Sequence, residues 1–125
     1  MKTWEPRRLA PPAGHYAYAV QTGNLVYLSG VLPDLARGSD FAVQFGTCFE
    51  RIEAILAEGG LDLSHLVQCT VYLSDITLWD EFNRLYRERL GAHRCARTVV
   101  PVGALHFGAL IEVQAVAEAI PSTAA

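Results

Sequence analysis

The sequence predicts an α+β sandwich with the element order ββαβαββ, a mixed sheet with both helices packed on one face. Three observations predict it. Short β-prone runs occur near both ends of the chain, two central segments space their apolar residues by three and four, and loop chemistry stands at each change of period. The 125 residues suffice for one domain, 1–125, with a core but little room for another module.

Residues 1–13 contain Pro6, Pro11 and Pro12 and read as an extended N-terminal arm, because proline cannot sustain a helix there. Tyr16–Val20 and Leu25–Leu28 then form a hairpin around Gln21-Thr22-Gly23-Asn24. After the loop-forming Pro33-Asp34 to Gly38-Ser39-Asp40, the apolar residues Phe45, Cys48, Phe49, Ile52, Ile55 and Leu56 define an amphipathic helix over 40–58. Gly59-Gly60 stops it. Leu66–Leu73 is a strand bounded by Ser74-Asp75, and Thr77 caps a second helix whose stripe is Trp79, Phe82, Tyr86 and Leu90. Thr98–Val102 and Ala109–Ala119 close the sheet, and 120–125 form a C-terminal tail. Two helices cover one sheet face only, so the other face calls for a second subunit.

Composition narrows the function. A hydrophobic share of 51% with 18% charged residues suggests surface covered by another copy. The net charge of −3 and the single lysine, Lys2, argue against nucleic-acid binding, which needs clustered cations to neutralise phosphates. Cys48, Cys69 and Cys95 are odd in number and have no CxxC spacing, so reduced thiols in a cytoplasmic protein are expected. The first residues lack the apolar core of a signal peptide, and no apolar run has the length of a membrane span, so a soluble protein without membrane contact is expected. His15, His65, His93 and His106 show no metal-ligand spacing; no metal and no cofactor are expected.

Two residues stand out for chemistry. On the last strand Glu112 shares a face with Leu110, Gln114, Val116 and Glu118, opposite Ile111, Val113, Ala115, Ala117 and Ala119. It reads either as a solvated or subunit-paired carboxylate or as a general base. Arg97, between Cys95-Ala96 and the Val-rich strand that follows, reads either as a salt-bridge partner between subunits or as a fork for a substrate carboxylate. Tyr16 and Asn83 carry no signal by themselves.

Four segments fall in order: Ser29-Gly30-Val31-Leu32-Pro33; Val71-Tyr72-Leu73-Ser74-Asp75 with Phe82-Asn83-Arg84-Leu85-Tyr86; Cys95-Ala96-Arg97-Thr98; and Ile111 to Ala117. Together they resemble the RidA (YjgF/YER057c/UK114) family of imine and enamine deaminases over about residues 14–119. The resemblance implies a chorismate-mutase-like unit that trimerises through its sheets, with active sites between subunits. It implies hydrolysis of reactive 2-imino and enamine acids to 2-keto acids and ammonia, without a cofactor. Arg97 would pair with the substrate carboxylate and Glu112 would hold the attacking water, while Tyr16, Asn83, Ser29 and Gly30 would line the pocket.

The sequence departs from the family pattern at His15, Val31, Arg51, Cys95 and Val99, which bears on the substrate rather than on the reaction. Two alternatives follow. One is a pathway-specific deaminase of an aminomuconate- or aminoacrylate-like intermediate, with His15, Val31 and the loop 103–108 setting selectivity. The other is a regulatory protein that binds a small carboxylate without turnover. Endoribonuclease activity, attached to the family by name, is disfavoured by the acidic balance.

Overall fold

The computed structural model describes residues 1–119. Six strands and two helices alternate as β1 (Lys2–Trp4), β2 (Ala19–Thr22), β3 (Leu25–Leu28), α1 (Phe41–Glu58), β4 (Leu66–Leu73), α2 (Trp79–Leu90), β5 (Ala96–Pro101) and β6 (Ile111–Glu118). They form one mixed sheet of order β1-β2-β3-β6-β4-β5, in which only β4 and β5 run parallel. The α+β class stands, with one strand more than expected. Residues 2–4 of the predicted arm pair with β2, and Trp4 is anchored by its Nε1–H donating to Gln21 Oε1 at 3.2 Å. Three residues are too few to show alternation, so their pairing is decided by the buried indole. The predicted tail at 120–125 lies outside the described residues.

The hairpin is shifted relative to the expectation. Pairing runs on to Thr22 opposite Leu25, leaving Gly23-Asn24 as a two-residue turn, with Gly23 at φ +57° in the left-handed region. Because β2 starts at Ala19, Tyr16 is released from the ladder into the irregular segment before it. The second helix also begins differently. Asp75 caps a 3-10 turn over Ile76–Leu78, accepting from the Thr77 backbone N–H at 2.9 Å and hydroxyl at 2.8 Å, and α2 follows from Leu78 without a side-chain cap, so Thr77 is not the cap. The Asp75 carboxyl is held below its usual range first by the Thr77 backbone N–H and then by the hydroxyl.

Both helices lie on the face that carries Cys69, Val71, Leu73, Ile111, Val113, Ala115 and Ala117, all buried. Phe45 and Phe49 of α1 stack at 4.6 Å, and Phe82 and Tyr86 of α2 meet them edge-on at 6.0 Å, giving an aromatic seam between helices and sheet. Gln44 crosses this layer: it is 3% exposed, and its Oε1 accepts the Leu110 N–H at 2.8 Å, which leads the chain into β6. The opposite face, with Tyr27, Thr70, Tyr72, Glu112, Gln114 and Val116, is exposed or half-buried. No helix is long and apolar enough to cross a membrane among the described residues.

Gly59, just after α1, packs directly under the Trp4 indole, where an added Cβ would overlap the ring. Gly59→Ala is therefore expected to destabilise the fold by about 1–3 kcal/mol by pushing out a buried aromatic. Thermal unfolding checks this, and an unchanged midpoint would show that Trp4 can yield.

Candidate active site

The sheet register sorts the candidate residues into two groups. Cys69 pairs with Arg97 and Tyr72 with Glu112. Paired residues share a face, and Cys69 and Tyr72 are three apart, so Arg97 points to the helix side and Glu112 to the open side. One chain therefore carries two separate candidate half-sites.

The first half-site lies on the edge strand β5. Arg97 Nη1 donates to Asn83 Oδ1 at 2.9 Å, and the guanidinium carbon lies 4.9 Å from the Tyr86 ring centre, 5.5 Å from Phe82 and 5.9 Å from Trp79. The predicted apolar stripe of α2 thus doubles as an aromatic bed for a cation. That role has a sequence signal in retrospect, since Trp79, Phe82 and Tyr86 share one helix face by their spacing. Arg97 is half-buried and, among the described residues, has no carboxylate partner in the molecule's ion pairs. The cavity around it is lined by Asn83, Tyr86, Arg87, His93, Arg94 and Cys95, a positively charged wall suited to an anion.

The second half-site gathers around Glu112. Its carboxylate lies over Gly30, in the space a Cβ would fill. Ser29 Oγ donates to Ala17 O at 2.6 Å, and its N–H donates to Tyr18 O at 3.0 Å, which ties this segment to the chain before β2. Val31 is buried and exchanges backbone hydrogen bonds with Val113 at 2.7 and 3.0 Å, which fixes Gly30 beside the start of β6. Tyr16, 48% exposed, meets Tyr18 edge-on at 6.3 Å, and both line a cavity with Gly30, Val31, Arg51 and Phe107. Arg51 is held by two donations from Nη1, to Leu32 O and Pro33 O, both at 2.9 Å. Tyr18, Tyr86 and Phe107 were not distinguished by the sequence; Phe107 is notable for its φ of +59° and 70% exposure.

Gly30 allows a test. Gly30→Ala places a methyl against the Glu112 carboxylate, a flexible group that can move, so the fold should be kept while the carboxylate is displaced. Any activity that uses Glu112 is expected to fall roughly 10- to 100-fold, with little change in unfolding midpoint.

The fold is thus a six-stranded α+β unit that holds a caged arginine in a cation-lined cavity on its edge and a carboxylate on its open face. The chain belongs to the RidA/YjgF/YER057c/UK114 family: the model described as Endoribonuclease L-PSP matches residues 7–119. Among curated relatives, a RutC family protein of Pyrococcus abyssi is 35% identical over 85% of this chain and 87% of its own length. The 3-aminoacrylate deaminase RutC of Acinetobacter baylyi is 33% identical over 90% of this chain and 93% of its own. Among solved structures, RidA of the Antarctic bacterium Psychrobacter sp. PAMC 21119 superposes with a TM-score of 0.87 at 30% identity, covering 94% of this chain and 98% of that one.

Proposed function

We propose that the chain is a cofactor-free, cytoplasmic hydrolytic deaminase of 2-imino and enamine acids, acting as a homotrimer whose sites form between subunits. The observation that carries this reading is the division of the site. Arg97 and Glu112 lie on opposite faces of one sheet, and among the described residues no element covers the face bearing Glu112. Trimerisation that sets the open sheet face of one subunit against the β5 edge of the next would bring the Glu112 half-site of one subunit against the Arg97 half-site of its neighbour. The deaminase name carried by a relative at 33% identity supports the reaction class.

In this reading the substrate carboxylate docks on the Arg97 fork, and the protonated imine carbon faces the water held by Glu112. Glu112 accepts a proton from the water as the C–O bond forms and the C=N π pair moves to nitrogen, giving a tetrahedral carbinolamine. The proton then passes to nitrogen. The hydroxyl then returns its proton to the Glu112 carboxylate and its oxygen forms the C=O bond as the C–N bond breaks, so that ammonia leaves with its electron pair and takes up that proton, and the 2-keto acid remains. The chemistry asks only for orientation and one proton acceptor. RNA cleavage is less well supported, because the net charge is −3 and the cations of the cavity are countered by acids elsewhere on the surface.

Mixing inactive variants tests the arrangement. In random 1:1 trimers of Arg97→Ala and Glu112→Gln chains, every mixed trimer has one site with both residues intact, so about a quarter of the natural activity should return on co-refolding. Ammonia release that stays at the background level would place both residues in one chain's site or remove them from catalysis.

A further inference from the structure

Arg51 is a half-buried cation on α1 whose guanidinium is fixed but not neutralised. Its Nη1 hydrogens are taken by Leu32 O and Pro33 O, both at 2.9 Å, which pins the group against the segment that follows Gly30. Among the described residues Nη2 and Nε donate to no protein acceptor, and no buried side-chain nitrogen or oxygen lacks a partner, so these donors open to solvent. Arg51 is also in none of the ion pairs among the described residues. Its neighbouring acids on α1 are engaged elsewhere, Glu50 by Arg37 and Glu53 by Arg89, and Asp34, next to Pro33, accepts the Ala36 N–H at 3.2 Å.

The cavity that Arg51 lines has apolar walls from Leu9, Leu32, Leu35 and Phe107, with Tyr16 and Tyr18 beside them. Among the described residues that line it, Arg51 is the one that carries a charge. A lone cation between apolar walls is poorly screened, so the cavity favours an anion. Gly30 belongs to the same lining and also lies under the Glu112 carboxylate, so the cavity continues directly from the Glu112 half-site.

We propose that Arg51 determines specificity: its open donors take a second carboxylate, and the chain acts on 2-imino acids with an acidic side chain. This inference rests on the deaminase reading, in which Arg97 of a neighbouring subunit holds the α-carboxylate and Glu112 serves the imine carbon. The substrate side chain then extends past Gly30 toward Arg51. An apolar side chain would fill the cavity but leave the guanidinium desolvated and unpaired, a cost that works against it. A carboxylate instead forms charge-assisted hydrogen bonds with Nη2 and Nε, whose direction the two backbone carbonyls have set in advance.

The imines of glutamate and methionine, similar in length and different in charge, test this. Each is generated in place by an excess of an amino-acid oxidase that accepts its parent, and keto-acid release is followed against a no-protein control. The natural chain should favour the glutamate imine by at least about 10-fold in kcat/KM. Arg51→Gln, which can still donate to the loop carbonyls, should lower that ratio by about 10- to 100-fold, while Arg51→Lys keeps the charge and should retain part of it. Calorimetric titration with 2-oxoglutarate and 2-oxobutanoate reads the same preference without turnover. A natural chain that takes the methionine imine equally well, or a ratio unchanged in Arg51→Gln, would overturn the proposal and leave the deaminase reading standing. No turnover of either imine, with an Arg51-dependent preference for 2-oxoglutarate, would remove the deaminase reading and keep the second carboxylate site; loss of that preference as well would overturn both. The natural chain's own preference decides if a variant fails to fold.

Discussion

Arg97→Ala is expected to lower kcat/KM for 2-iminopropionate, generated in place by an amino-acid dehydratase or oxidase, by at least about 100-fold. Two charge-assisted hydrogen bonds to a carboxylate are worth roughly 1.5–3 kcal/mol each, and alanine removes both. The loss should fall mainly on substrate capture, since in the proposed mechanism the guanidinium holds the part of the substrate that does not react. Arg97→Lys separates charge from shape. It keeps the cation but neither the planar fork nor the fit over Tyr86, Phe82 and Trp79, so activity between the natural chain and alanine is expected. Imines hydrolyse unaided, so ammonia and keto-acid release must be measured against a no-protein control. Natural-chain rates equal to that control would remove the deaminase reading. Normal activity in Arg97→Ala would keep the reaction but move the anchor elsewhere, with Arg94 and Arg87 in the same cavity wall as the next residues to test.

Most of the fold was legible because burial on one face writes itself into sequence period. The β3 and β4 bounds are those expected, α1 differs by one residue, and the alternation that set Glu112 opposite Ile111 and Val113 is the observed one. The misses share a cause. Lys2–Trp4, the shifted β2 and the Asp75 cap each depend on a partner distant in the chain or on a hydrogen bond of one side chain, neither of which has a period. The candidate site was legible residue by residue but not in its arrangement. Single-strand alternation places Glu112 relative to its own neighbours, whereas its position relative to Arg97 depends on the pairing of β6 with β4 and of β4 with β5.

Glu112→Gln is the sharper test of chemistry, because the two side chains have nearly the same shape and differ in the ability to accept a proton. The amide can still fill the space over Gly30, so the fold and the pocket should be preserved, with an unfolding midpoint close to that of the natural chain. The expected result is a kcat lowered by about 100- to 10,000-fold with KM changed little, since the proposed mechanism has the carboxylate act on the water and Arg97 on the substrate. That split separates Glu112 from Arg97, whose loss should raise KM. It also separates the enzyme from a binding protein: a non-catalytic carboxylate binder would tolerate Glu112→Gln in a titration with a stable 2-keto acid and show no turnover in either form. If Glu112→Gln keeps full kcat, the water must be activated from elsewhere in the half-site. Tyr16 and Tyr18 are the remaining hydroxyls in the cavity that takes in Gly30, so Tyr16→Phe and Tyr18→Phe would then be the substitutions that locate the base.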